Sequence, residues 1–301
     1  MENSKLFTVP HKYFIALLLF TTALCLTLVA PANLNLLHVL GINKPKLELV
    51  DAASNSQQQV AEFQTAMENT LNEQLKKQSL LSAAPSNFSS KVIYEIKPVG
   101  NKKVIALTFD DGPWKNTTQQ TLDILKKNNV KATYFVVGNA LKNNPQLGKQ
   151  IIADGHAIAN HTWNHWYHFM NPQAAAMEID RTSDLIYEIT GVKTNLFRPP
   201  GGHLSNGLVA HAKRNKYATL MWSADSRDFQ RPAPAKLVNT VLKNSRPGGI
   251  VLLHDGGGDR TNTVKALPQI IAKLRERGYS FVTIPELLEM AEKNKKIENS
   301  G

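Results

Sequence analysis

Two short stretches of this chain carry residue types that could perform hydrolysis together. Thr108-Phe109-Asp110-Asp111-Gly112-Pro113 closes an apolar run with adjacent carboxylates, and about fifty residues later His161-Thr162-Trp163-Asn164-His165 offers two imidazoles four positions apart. Adjacent carboxylates repel each other, so a fold that keeps both at one strand end is expected to hold a cation beside one of them. The two imidazoles can complete its ligand set, and a cation with open positions activates water for attack on an acyl carbon. Neighbours on a strand point to opposite faces, so a turn at Gly112-Pro113 is needed to bring both carboxylates to one pocket. A helical turn over 161–165 would place both His rings on one face. That spacing also arises by chance, and it gains weight here from the carboxylate pair.

The elements that must position these groups are read from hydrophobic periodicity. Short apolar runs at 104–109, 132–137, 156–160, 196–197, 218–223, 250–253 and 280–283 alternate with helical patterns at 117–128, 145–154, 172–190, 206–215, 233–244 and 264–278, with a short helix from Pro285. Alternating strands and helices predict a parallel sheet, either open and doubly wound or closed as a barrel. In both, chemistry gathers beyond the carboxyl ends of the strands. Asp110 and Asp111, His161, Arg198, Asp225, and His254-Asp255 all directly follow predicted strands.

The rest of the chain differs in character. Lys5, His11 and Lys12 precede eighteen uncharged residues from Tyr13 to Ala30, which reads as an export segment. It is long enough for an uncleaved membrane anchor, while Ala30-Pro31-Ala32 offers small residues for a signal cleavage. In either case the basic flank places the remainder outside the cytoplasm. Residues 33–100 read as a stalk, with a Gln/Asn/Ser-rich stretch and then Val60, Phe63, Met67, Leu71 and Leu75 at helical spacing. The catalytic domain is expected over 101–290, followed by a polar tail over 291–301. Of 301 residues 42% are hydrophobic, and the formal charge is +11. Lys and Arg are spread rather than clustered with aromatics, which argues against a nucleic-acid partner. The one cysteine, Cys25, lies in the apolar run, so the domain has neither disulfides nor thiolate ligands.

Five motifs then occur in one order: Thr-Phe-Asp-Asp-Gly-Pro, His-Thr-Trp-Asn-His, Arg198-Pro199-Pro200-Gly201-Gly202, Asp225-Ser226-Arg227-Asp228-Phe229 and Leu252-Leu253-His254-Asp255. Their order resembles the polysaccharide deacetylase family (NodB homology, carbohydrate esterase 4) over about 102–285. The resemblance implies a distorted, incomplete (β/α) barrel of about seven strands. It also implies metal-dependent removal of the acetyl group from N-acetylglucosamine units of a polysaccharide. It makes Asp111, His161 and His165 the metal ligands and Asp110 the general base, oriented by Arg198. One oxygen and two imidazole ligands leave open positions and suit zinc best, with cobalt or manganese also accepted. His254 is then the general acid, with Asp225 as its expected carboxylate partner. The oxyanion would meet the Gly201 amide, and Leu252 and Phe229 would line the acetyl pocket.

Three positions depart from the family pattern. Gly201 stands where Tyr is common, which removes a side-chain wall. Phe229 stands where Trp is usual. Trp166 replaces a common proline and opens an aromatic run, Trp166-Tyr167-His168-Phe169, that could stack on sugar rings or simply pack as a loop. Peptidoglycan is the first substrate expected, with chitin-type polymers open. A silent glycan-binding domain and a hydrolase of another acyl bond, such as an O-acetyl ester, are the alternatives.

Overall fold

The computed structural model describes residues 60–70, 73, 82–96 and 102–298. The apolar run at 13–30, most of the predicted stalk and the end of the tail lie outside them. Among the described residues no helix is long and apolar enough to cross a membrane. Residues 60–70 are helical and exposed throughout, including Val60, Phe63 and Met67.

Nine strands form one sheet among the described residues, and every strand pair is parallel. They are β1 Val92–Ile93, β2 Val104–Asp110, β3 Thr133–Val136, β4 Ala157–Asn160, β5 Leu196–Phe197, β6 Ala218–Leu220, β7 Ala224–Asp225, β8 Gly249–His254 and β9 Ser280–Phe281. The order is β1-β6-β5-β4-β3-β2-β8-β7, with β9 pairing the first two residues of β2. The helices are α1 Thr117–Lys127, α2 Gly138–Asn143, α3 Pro145–Ala153, α4 Pro172–Thr190, α5 Leu208–Arg214, α6 Pro234–Asn244, α7 Thr261–Glu276 and α8 Ile284–Glu298. Local signals set several ends. The Asn171 side chain accepts from Ala174 N at 2.9 Å to cap α4, Pro172 opens it, and left-handed Gly191 (φ 72°) closes it.

Buried strands here read as continuous apolar runs because both faces are covered. All seven residues of β2 are buried. Its odd-numbered residues Ile105, Leu107 and Phe109 pack outward with Leu122 and Leu125 of α1, Val241 of α6 and Ile270 of α7. The even-numbered Val104 and Ala106 face an inner cluster with Phe135, Ala159, Ala218 and Ile250, in which the alanines leave room for the larger side chains. Thr108 and Asp110 continue this inner row upward, which aims the Asp110 carboxylate into the mouth at the strands' carboxyl ends.

Three expectations change. β1 and β7 were not anticipated: β1 lies in chain that reads as linker, and β7 directly follows an apolar run that reads as one strand to Ser223. The domain begins before residue 101: β1 pairs β6, Glu95 bridges Gly249 at the start of β8, and Ile96 N donates to Gly248 O at 2.9 Å. The segment 92–96 thus spans β6 and β8 and curls the sheet into a distorted barrel. Ala84, Phe88, Ile93 and Ile96 are buried with Ile284, Leu287 and Leu288 of α8.

Candidate active site

The cleft at the carboxyl ends has a volume of about 910 Å³ and is walled by Asp110, Asp111, His161, His165, Gly201, Asp225, Phe229, Leu252 and His254, with Tyr167, Trp222 and Arg260. Every candidate catalytic, acetyl-pocket and metal-ligand residue of the five motifs except Arg198 lines it, and Arg198 lies just beneath. Asp111 follows the strand in left-handed backbone (φ 74°), so its carboxylate turns to the same side as that of Asp110. The reorientation is in the Asp111 backbone itself, ahead of Gly112-Pro113.

Arg198 is fully buried at the barrel's centre. Its Nη1 donates to Asp110 Oδ1 at 2.7 Å and to Thr108 Oγ1 at 2.9 Å, Nε donates to Leu220 O at 2.9 Å, and Nη2 to Met221 O at 3.0 Å. The guanidinium also lies 3.9 Å from the Phe135 ring centroid. Burial works against its charge, but the hydrogen-bonded Asp110 carboxylate opposes that loss. One oxygen of Asp110 is thereby fixed, and Oδ2 points toward His161 Nε2 at 3.6 Å.

The two histidines do not share a helix. Residues 161–165 form a loop after β4 with left-handed backbone at Thr162 (φ 70°) and His165 (φ 60°). Asn160 Oδ1 accepts from Thr162 N at 2.8 Å, and Thr162 Oγ1 from His165 N at 3.1 Å. Glu178 of α4 is buried and accepts from Trp163 N at 3.0 Å, Asn164 N at 2.7 Å and Asn164 Nδ2 at 2.5 Å. This carboxylate shapes the loop, and nothing in its helical spacing announced it. The loop brings the two rings to a centroid separation of 4.9 Å.

The ligand atoms of Asp111, His161 and His165 all lie within 4.8 Å of one another. His161 Nδ1 lies 2.8 Å from Arg198 O, and a carbonyl only accepts, so the proton sits on Nδ1 and Nε2 carries a lone pair. That lone pair faces Asp111 Oδ1 at 3.5 Å, and His165 Nε2 faces the same oxygen at 3.0 Å. Asp111 Oδ1 is buried without a hydrogen-bond donor. Acceptors converging on one another require a proton or a cation between them, and the donor set is that of an open, catalytic divalent-metal site. Burial acts to raise the Asp111 pKa, but imidazoles that carry the intervening proton outweigh it and hold the carboxyl far below the ordinary range.

On the opposite wall the expected partner of His254 is corrected. Asp228, not Asp225, lies 2.6 Å from His254 Nδ1, and its other oxygen accepts from His254 N and Thr263 Oγ1, both at 2.9 Å. Asp225 ends β7, where its Oδ1 accepts from Arg227 N at 2.8 Å. The chain then reverses through left-handed Arg227 (φ 56°) into a single 3-10 turn, Asp228–Gln230, which carries Asp228 beneath β8. Spacing in the sequence could not separate two aspartates three residues apart. Burial works to lower the His254 pKa, but the Asp228 hydrogen bond and charge, with Asp110 and Asp111, push it up to about 9. Asp228 is buried, which acts to raise its pKa, yet His254 holds it below the ordinary value.

Tyr167 meets the missing wall at Gly201. Gly201 is left-handed (φ 60°), and a Cβ there would stand 2.8 Å from Tyr167 Cε1, so the tyrosine ring occupies the space that a side chain at 201 would use. Tyr167 also stacks edge-on against His165 at 5.1 Å. Phe229 is half-exposed and edge-on to His254 at 6.3 Å, and Leu252 is buried on the inner face of β8. Trp166 and Phe169 stand exposed beside the cleft-lining Tyr167.

Comparison with known proteins agrees with this geometry. The polysaccharide deacetylase family model matches residues 97–220. A peptidoglycan-N-acetylglucosamine deacetylase of Bacillus cereus is 43% identical over 205 residues, covering 64% of this chain and 96% of that protein. The solved structure of the peptidoglycan deacetylase PdaC from Bacillus subtilis is similar with a TM-score of 0.60 at 33% identity, covering 66% of this chain and 96% of that one. A structure described as a CE4 family pseudoenzyme from Bacillus anthracis is similar with a TM-score of 0.61 at 33% identity, covering 66% and 69%. With a relative matched over nearly its whole length and the five motifs gathered at one cleft, this chain belongs to the polysaccharide deacetylase family.

Proposed function

We propose that this protein hydrolyses the acetamido group of N-acetylglucosamine units in peptidoglycan, releasing acetate and leaving a free amine on the sugar. The observation that carries the reading is one cleft holding two ionisable pairs, Arg198–Asp110 and Asp228–His254, on either side of the Asp111, His161 and His165 cluster. A divalent cation held by that cluster, zinc by its donor set, would polarise the attacking water and the acyl oxygen. Asp110 Oδ2 takes the proton from water as the oxygen adds to the acyl carbon. The Gly201 amide supports the negative charge that develops on the acyl oxygen. His254, with Nδ1 tied to Asp228, presents Nε2 to the amide nitrogen and delivers the proton that lets the C–N bond break. Leu252, Phe229 and Trp222 supply apolar surface for the acetyl methyl. The polymer assignment rests on the similarity to peptidoglycan deacetylases and on the +11 charge, which suits an anionic wall. The uncharged run behind Lys5 and Lys12 supports an extracytoplasmic site, tethered or secreted.

The similarity to a pseudoenzyme favours one second reading, a domain that binds glycan without turning it over. Acetate release separates the two. The protein is incubated with purified peptidoglycan and with N-acetylglucosamine oligomers, with zinc and after chelation. Metal-dependent release from peptidoglycan is expected. Folded, zinc-loaded protein that binds either glycan but liberates no acetate would establish the binding reading instead.

A further inference from the structure

Arg260 precedes α7, a place where a solvated cation would be unremarkable, and nothing in the motif reading marked it. It is nevertheless buried, with 5% of its surface exposed, and it lines the cleft. Its Nε donates to Gly256 O at 2.7 Å and Nη2 to Gly257 O at 3.3 Å. Nη2 also stands 3.8 Å from Asp111 Oδ2. The two glycines interlock with the same aspartate: a Cβ at 256 would meet Asp111 O at 2.3 Å, and one at 257 would meet Asp111 Oδ2 at 2.4 Å. The segment from 256 to 260 is therefore folded against one side of Asp111, and Arg260 ties its carbonyls down.

Each carboxylate then turns one oxygen toward an arginine, Asp110 through a 2.7 Å hydrogen bond and Asp111 through a longer ion pair at 3.8 Å. Asp110 gives Oδ1 to Arg198 and turns Oδ2 toward His161. Asp111 faces Arg260 with Oδ2 and turns Oδ1 toward both imidazoles. We propose that Arg260 is a positioning residue that fixes the rotation of the Asp111 carboxylate, so that a single oxygen is presented to the cation. This rests on the reading of Asp111, His161 and His165 as a cation site. Two effects of opposite sign meet here. A guanidinium repels a nearby divalent ion, which weakens binding, while an oriented ligand strengthens it. Orientation wins, because removing the guanidinium fork releases the Gly256 and Gly257 carbonyls and takes the cation away from Asp111 Oδ2, and the carboxylate is then free to turn.

The test measures Zn2+ dissociation constants of the full chain and of its Arg260→Gln and Arg260→Lys variants by competition with a chromophoric chelator. The visible spectrum of the Co2+-substituted proteins is recorded alongside. Arg260→Gln is expected to bind Zn2+ about 10- to 100-fold more weakly and to shift the cobalt bands. Arg260→Lys keeps the charge without the fork and recovers only part of that loss. Zn2+ binding by Arg260→Gln equal to or tighter than the unsubstituted protein overturns the proposal, as does full recovery by Arg260→Lys, because charge alone would then suffice. Thermal melts establish folding, and if Arg260→Gln does not fold the lysine variant decides alone. Failure of the unsubstituted protein to bind Zn2+ would overturn the cation site itself, a distinct result.

Discussion

At the scale of single residues, the decisive arrangement is which carboxylate touches which base. Asp110→Asn removes the proton acceptor but leaves the ligand cluster intact, so we expect turnover to fall roughly 100- to 10,000-fold with Zn2+ still bound. Asp111→Ala should lose both; activity retained by a zinc-loaded Asp110→Asn protein would refute the base assignment. The pair on the other wall makes a pH prediction. Folded His254 keeps its proton to about pH 9, whereas an unfolded histidine releases it near 6.5. Its contribution to stability is therefore complete below about pH 6.5 and is lost as the pH rises through 9. Asp228→Asn leaves burial of His254 opposed only by the more distant charges. The alkaline limb of kcat/KM should move to lower pH, and the fall of Tm between pH 6.5 and 9 should flatten. Asp225→Asn should leave that limb in place. If Asp225→Asn shifts it and Asp228→Asn does not, the pairing described here is wrong. The residue types of the site were legible in the chain, because an acid, a base and metal ligands each need specific side chains. Which of Asp225 and Asp228 serves His254 was not, since that depends on a left-handed turn at Arg227 rather than on residue type.

At the scale of elements, strands place the chemistry and short loops finish it. Period-two alternation in β2 and β8 aims Asp110 and His254 inward, and this follows directly from pleating. The loop over 161–165 follows a different logic. Its backbone N–H groups at Trp163 and Asn164 end on the buried carboxylate of Glu178, which sits on α4 and is remote in sequence. Glu178→Ala leaves three donors without their partner, and the buried one, Trp163 N, alone costs about 1–3 kcal/mol. We expect both a lower Tm and weaker Zn2+ binding, because His165 loses its fixed position. Zn2+ affinity equal to that of the unsubstituted protein, measured by chelator competition, would show that the loop holds its shape without α4. Periodicity located α4 correctly, but it could not reveal that one polar face position reaches across to a loop.

At the scale of the whole molecule, the barrel depends on chain that reads as linker. Ala84, Phe88, Ile93 and Ile96 are buried with residues of α8, and β1 spans the gap beside β6. Ile93→Ala should destabilise by about 2–5 kcal/mol, the usual cost of truncating a buried isoleucine. A chain begun at residue 82 should unfold at the same urea concentration as the intact protein, whereas one begun at 102 should unfold at a much lower one. Equal midpoints for the two shortened chains would show that the segment is dispensable.

By itself, the sequence determined the parallel α/β alternation, the motif residues that meet at the cleft and their chemical types. These depend on local quantities: periodicity, residue type and position at strand ends. Only the tertiary structure decided that His161 and His165 meet through a loop, that Asp228 rather than Asp225 backs His254, that Tyr167 fills the space beside Gly201, that Arg260 is buried against Asp111, and that residues 82–96 belong to the barrel. Each of these joins groups remote in sequence or turns on left-handed backbone at a single residue. Such contacts are selected by the curled sheet and its helices as a whole, because a buried polar group must find its partner wherever the packed chain happens to bring one.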